Sequence, residues 1–334
     1  MGQSRKITIK SILLRIGIVA LLVLRLNTLV AQSQRIIAIE MEYGTVYHFQ
    51  SALVPAYYKL PTDSVPTIAA RPVSVWIPKS KPTTFSRALW MMDGQNLFID
   101  SWAFGGTSWG VDQAMGQYMK NHPNAPNTMV VGVWNSPNRF GEYAPEDALK
   151  AYPSLMNSLK SERKCKFSGN YFSQYLTQVL RPWVYEQLKV KTPRTELIGG
   201  SSMGGIASLY ALSKYPYVWK GVMAFSTHWP LTLSGNKALS DSCFNAYYAY
   251  LRLNLKPATL NWLISSELQN RLWSDCGTLE LDAEYAEYHQ QFSKWEGFKS
   301  QSNNVHFEVF EGYGHNERAW RQRLPKALDW LLMH

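Results

Sequence analysis

Cysteine is scarce in this sequence. There are three in 334 residues, Cys165, Cys243 and Cys276, and none stands at metal-ligand spacing, so no zinc-type centre is indicated. An exported chain could pair two of them and leave one free, and the spacing does not say which. Charge is also scarce. Charged residues are 17% against 46% hydrophobic, a balance that excludes a disordered chain. No basic block stands out. The net charge of +10 includes five basic residues in 1–31, where there are no acidic ones, and without that segment about +5 remains, scattered along the chain. A nucleic-acid partner is therefore not expected. Repeats, low-complexity tracts and Pro/Gly linkers are absent as well. The longest apolar run, Ile16–Leu24, lies between Arg15 and Arg25 and is too short to span a bilayer as a stable helix.

That run has another reading. Arg5, Lys6 and Lys10 form a basic start, the apolar stretch follows, and Leu29-Val30-Ala31 before Gln32 resembles a small-residue cleavage site. No cysteine follows the apolar stretch, so lipidation there is not indicated. The expectation is a signal peptide over 1–31 and one domain over 32–334, exported to the periplasm or outside the cell, with no stable membrane span after cleavage. An uncleaved N-terminal anchor is the alternative. At this length the chain can bury a substantial core. Aromatic residues are 13%, with 13 Trp, which points to an aromatic-rich core ahead of an aromatic-walled pocket.

The most informative stretch is Arg194–Gly205, which contains Gly200-Ser201-Ser202-Met203-Gly204. A short apolar run precedes it and a helix-like run, Ile206–Leu212, follows. G-x-S-x-G between strand and helix is the pattern of a nucleophile elbow. The turn is tight enough to strain the nucleophile, and glycine two positions to either side removes a collision between strand and helix. Register selects Ser202, because Ser201 has Met203 at +2. The backbone N–H of Met203 then lies at a helix N-terminus, where it can hold a developing oxyanion.

Around this turn the chain alternates. Arg35–Leu53 reads as extended and Arg71–Pro78 as a period-two strand, together the antiparallel opening of a sheet. Ala88–Met92, Met129–Trp134, Leu197-Ile198, Gly221–Phe225, Asn270–Cys276 and Val305–Phe310 read as further strands. Helices are expected over Trp109–Asn121, Phe172–Leu188, Ile206–Tyr215, Asp241–Leu255, Glu284–Trp295 with Gly297 as its stop, and Trp320–Met333. Strands alternating with helices imply a mostly parallel, doubly wound α/β sheet with flanking helices.

A nucleophilic serine needs a base and an orienting acid, in this fold in the chain order Ser, acid, His. His289, His306, His315 and His334 follow Ser202 at a distance, whereas His228 follows too closely. His315 stands in a glycine-bracketed loop after the last strand, from which an imidazole can reach back. His289, in a helix beside Glu287 and Gln290, reads as solvated. For the acid, Asp275, Glu280 and Asp282 lie at or beyond a strand end, and the loop position favours the last two. Asp93-Gly94-Gln95 follows the third strand and points to the N–H of Gln95 as the second oxyanion donor.

Taken together these segments resemble the Putative esterase family of α/β hydrolases, which includes feruloyl esterases, S-formylglutathione hydrolase, enterobactin-type siderophore esterases and mycolyltransferases. The resemblance covers about residues 70–330. It rests on Met92–Phe98, Trp109–Asp112, Arg139 with Glu142-Tyr143, Gly200–Gly205, Asp275–Thr278, and Gly314–Glu317 with Trp320. It implies an α/β-hydrolase fold and serine esterase chemistry, with Ser202 as nucleophile, His315 as base and the Asp-Gly-Gln turn as oxyanion loop. It also implies a small-molecule or glycan-linked ester substrate and no metal or organic cofactor. Gly-Thr-x-x-Leu-Asp in relatives aligns the acid with Asp282; relatives with an acid three residues after the glycine align it with Glu280. Two other readings use the same residues: an acyltransferase, and an inactive hydrolase scaffold that binds carbohydrate or a partner. The oligomeric state is not readable.

Overall fold

The computed structural model describes residues 36–60, 62–63, 67–255, 270–301 and 303–333. The expected signal peptide over 1–31 and His334 lie outside the described residues. Nine strands form one sheet: β1 (Ile37–Glu40), β2 (Gly44–Phe49), β3 (Val73–Pro78), β4 (Arg87–Met92), β5 (Thr128–Val133), β6 (Thr195–Ser201), β7 (Trp219–Phe225), β8 (Arg271–Gly277) and β9 (Val305–Phe310). Their order across the sheet is β1-β2-β3-β5-β4-β6-β7-β8-β9. The first three strands pair antiparallel, and β3 meets β5 antiparallel. Every pairing from β5 onward is parallel.

Parallel strands need crossovers, and helices supply them on both faces. α1 (Val111–Asn121), α2 (Arg139–Tyr143), α3 (Glu146–Lys150), α4 (Pro153–Arg163), α5 (Gly169–Gln174), α6 (Arg181–Leu188), α7 (Met203–Lys214), α8 (Lys237–Asn254), α9 (Leu281–Ser293) and α10 (Glu317–Leu332) follow in chain order. β4 shows how period two serves both faces. Ala88, Trp90 and Met92 enter one core, with Ile206 and Leu209 of α7 and Phe292 of α9. Leu89 and Met91 enter the other, with Met115 of α1 and Leu324 and Leu328 of α10. The tryptophans serve these cores: Trp76, Trp90, Trp219, Trp229 and Trp273 are fully buried.

The differences from the sequence reading have local causes. β3 was expected to alternate, but Ser74 is as buried as Val73 and Val75, because β3 lies between β2 and β5 with both faces covered. The helix expected over Phe172–Leu188 begins at Gly169 and widens to a π segment over Tyr175–Leu180. Pro182 stands just beyond that segment, and its missing N–H and bulky ring disturb the regular ladder there. α9 begins at Leu281, three residues before its expected start, and ends at Ser293, so Gly297 lies within a following 3-10 turn and is not its stop. The short helices α2 and α3 and the 11-residue α4 are not anticipated.

These connections place five loops at one edge. β4, β6, β7, β8 and β9 run parallel, so Asp93, Ser202, Ser226, Glu280 and His315 all lie past their carboxyl ends. That edge is where ligands bind in open α/β sheets.

Candidate active site

Ser202 joins β6 to α7 with φ 56° and ψ −123°, a conformation an L-residue holds only when its surroundings over-determine it. The surroundings do so. Ser202 N donates to Phe225 O at 2.9 Å, and its carbonyl accepts from His228 N at 3.2 Å. The flanking glycines are required by close approach. A Cβ on Gly204 would sit 3.0 Å from Met92 Cβ and 3.2 Å from Asp93 Oδ2, and one on Gly200 would sit 3.0 Å from Gly204 C. Met203 is the first residue of α7, where amides have no carbonyl partner within the helix. Ser201 ends β6 in the sheet ladder.

Ser202, His315 and Gln95 line one cleft of about 750 Å³. His315 Nδ1 lies 2.7 Å from Asp282 Oδ1. The other carboxylate oxygen of Asp282 accepts from Gly277 N at 2.6 Å and from Ser226 Oγ at 2.6 Å. Burial alone would raise the Asp282 carboxyl, but the His315 and Ser226 hydrogen bonds and the Arg323 charge hold it below its ordinary value. An ionised acceptor at Nδ1 leaves Nε2 of a neutral imidazole with its lone pair.

The other acid candidates are engaged differently. Glu280 precedes α9 at φ 57°, and its carboxylate accepts from His315 N at 2.8 Å and from Asn316 Nδ2 at 3.2 Å. It therefore holds the backbone of the histidine loop and not the imidazole. Asp275 is fully buried in β8, beneath the site, paired with Arg323 Nη1 at 3.0 Å. Burial pushes its carboxyl up to about 6 against the pull of Arg323. Gly277 lets the two loops meet, since a Cβ there would lie 2.1 Å from Tyr313 O.

Across the cleft, Asp93 sits at φ 56° and heads the 3-10 turn Gly94–Asn96. Arg139 clamps it with Nε to Oδ1 and Nη2 to Oδ2, both 2.7 Å, and Asn135 Nδ2 adds a third bond at 2.7 Å. The turn that carries Gln95 is thereby tied to the loop after β5 and to α2.

Ser226, Tyr285 and Arg323 are not singled out from sequence. Ser226 Oγ is a junction: it donates to Asp282 and accepts from Trp320 Nε1 at 2.9 Å and Arg323 Nη2 at 2.7 Å. Trp320 and Tyr285 also pack edge-on against the His315 ring, with centroids 5.2 and 5.4 Å away. His228 is buried beside Tyr285, and burial together with Arg163 lowers its pKa far enough to keep it neutral. Spacing cannot reveal such contacts, since Ser226 and Arg323 are 97 residues apart. His289 corrects an expectation. It is buried against Cys276 Sγ at 3.4 Å, and burial lowers its pKa to about 4. His306 stacks on Trp273 and contacts Glu308. The three cysteines are free thiols, so the pairing considered for an exported chain is not present.

The chain was compared with known proteins. The model of the family described as "Putative esterase" matches residues 69–331. Among solved structures, a ferulic acid esterase aligns with TM-score 0.55 and 16% identity, over 87% of this chain and 99% of that one. An S-formylglutathione hydrolase from Agrobacterium tumefaciens aligns with TM-score 0.53 and 13% identity, over 89% and 98%. An enterochelin esterase from Shigella flexneri aligns with TM-score 0.51 and 16% identity, over 85% and 62%. At these identities the likeness is one of fold, the α/β-hydrolase fold. No curated protein matches in sequence.

Arg323 lies between two buried carboxylates, and its loss leaves both without their cation. Arg323→Leu is expected to lower stability by roughly 3–5 kcal/mol, read as a shifted denaturant midpoint. An unfolding free energy within about 0.5 kcal/mol of the parent would show that the guanidinium does not hold this cluster.

Proposed function

This chain belongs to the Putative esterase family and is an esterase, and we propose that it cleaves carboxylic esters through a Ser202–His315–Asp282 triad and an acyl-enzyme. The observation that carries this reading is the 2.7 Å contact of His315 Nδ1 with a buried, ionised Asp282, on a cleft that also contains the strained Ser202. His315 Nε2 takes the proton of Ser202 Oγ as that oxygen attacks the ester carbonyl. Negative charge develops on the carbonyl oxygen, and the N–H groups of Met203 and Gln95 receive it. Collapse expels the alcohol with the proton that His315 holds. Water, deprotonated by the same nitrogen, then attacks the acyl-enzyme and restores Ser202.

Asp282 fixes the tautomer and meets the imidazolium charge as it forms. Its buried setting makes that charge effective, because no bulk water screens the pair. Glu280 positions the loop through the backbone of His315. We also propose that the chain is exported after loss of residues 1–31, leaving one mature domain. The support is the basic, apolar and small-residue order of that segment.

Ser202→Ala is expected to lower turnover of a short p-nitrophenyl ester by roughly four orders of magnitude or more, while Ser201→Ala keeps most of it. Asp282→Asn should lose several orders at unchanged KM, and Glu280→Gln far less at matched thermal stability. The opposite ranking of the two acids would reassign the orienting carboxylate to Glu280. For export, intact mass of secreted protein should correspond to a chain starting near Gln32; uncleaved protein retained in the cytoplasm would contradict the signal peptide.

A further inference from the structure

One carboxylate on the cleft is not used by this mechanism. Glu317 opens α10, two residues beyond His315, and lines the cleft. Among the described residues it makes no ion pair; its side-chain partner is a neutral amide, Asn96 Nδ2 at 3.1 Å. The other charges on the cleft are spoken for. Arg139 is clamped by Asp93, and His315 is paired with Asp282. At the outer rim Arg321 lies 3.5 Å from Asp100. One negative charge is left over.

That charge is tied to the loop that carries an aromatic ring. Asn96 is 8% exposed, and its Oδ1 accepts from Phe104 N at 3.0 Å while its Nδ2 holds Glu317. A single buried amide thus ties the Phe104 loop to the carboxylate. The Phe104 ring is 81% exposed and lines the same cleft. The open aromatic surface is thereby available to a ligand in the cleft. A carboxylate without an ion-pair partner and an open aromatic face on one cleft both attract a cation, the first by Coulomb force and the second through the ring quadrupole. An anion would be repelled.

We propose that Glu317 and Phe104 form a subsite for a positively charged ammonium group on the alcohol half of the ester. The alcohol side is assigned because His315 must protonate the departing oxygen, and Glu317 follows His315 on the same segment. The inference rests on the esterase reading above and adds the charge class of the substrate. Burial and the nearby Asp93 raise the Glu317 carboxyl against the pull of its helix N-terminus, His315 and Arg139, and a bound cation adds to that pull.

The test compares acetylcholine with 3,3-dimethylbutyl acetate, which has the same shape without the charge. In the intact protein kcat/KM is expected to favour the cation by about tenfold, and the preference should shrink as salt rises. Glu317→Gln should bring the ratio near one, and Phe104→Leu should reduce it several-fold, each at an unchanged melting temperature. A ratio of one or below in the parent, or one that Glu317→Gln leaves unchanged, overturns the subsite. Calorimetric binding of choline against 3,3-dimethylbutanol separates the two claims. Tighter choline binding without turnover of either ester keeps the subsite and counts against the triad reading of this cleft. Turnover of both esters without cation preference does the reverse.

Discussion

An ionised carboxylate with no exposure to water is the costly feature on which the rest of this site depends. Asp282 is fully buried, and an isolated charge there would simply take up a proton. Four groups prevent that: the amide of Gly277, the hydroxyl of Ser226, the guanidinium of Arg323 and the imidazole of His315. Each comes from a different part of the chain: the end of β8, the end of β7, the middle of α10 and the loop after β9. The sheet order places these ends side by side, so the charge state of one carboxylate depends on the whole carboxyl edge. Arg323 is shared with Asp275 and lowers both acids; burial still pushes Asp275 up, while the hydrogen bonds from His315 and Ser226 hold Asp282 down.

The nucleophile side depends on a different constraint, which is space. β6 and α7 approach so closely that glycine is needed before and after Ser202, and the residue between them takes a strained backbone. That strain is met by hydrogen bonds with Phe225 at the end of β7 and with His228 in the loop beyond it. The oxyanion side in turn depends on the Asp93–Arg139 clamp, which ties the 3-10 turn carrying Gln95 to α2. The proposed reaction therefore draws on one buried charge, one steric squeeze and one bidentate ion pair, each belonging to a separate loop.

How much of this was legible in the sequence varied with the range of the interaction. The elbow was readable because its physics is local: two glycines, one serine, a strand before and a helix after. The loop that carries His315 is readable from its bracketing glycines, and β9 at Val305–Phe310 has its expected bounds. Sequence prefers Asp282 on family spacing with Glu280 as the alternative, because both carboxylates reach the same loop; only the structure shows that one touches the imidazole and the other the backbone. His289 was misread because charged neighbours in sequence hide which helical face is buried: Glu287 is exposed while His289 faces Cys276 and Phe307. Ser226 and Arg323 were invisible, since a serine after a strand and an arginine in an amphipathic helix carry no signal until the fold brings them together. The cysteines gave no guide to pairing, and each is a free thiol, with Cys243 and Cys276 buried.

The central claim is that Ser202 is the activated nucleophile, and covalent capture tests it most directly. A serine-reactive phosphonate should add one phosphonyl group per chain, and peptide mapping by mass spectrometry should place it on Ser202, with esterase activity lost in step with the adduct. Full inactivation with the label on another serine, or an unlabelled Ser202 in protein that still turns over ester, would contradict the account.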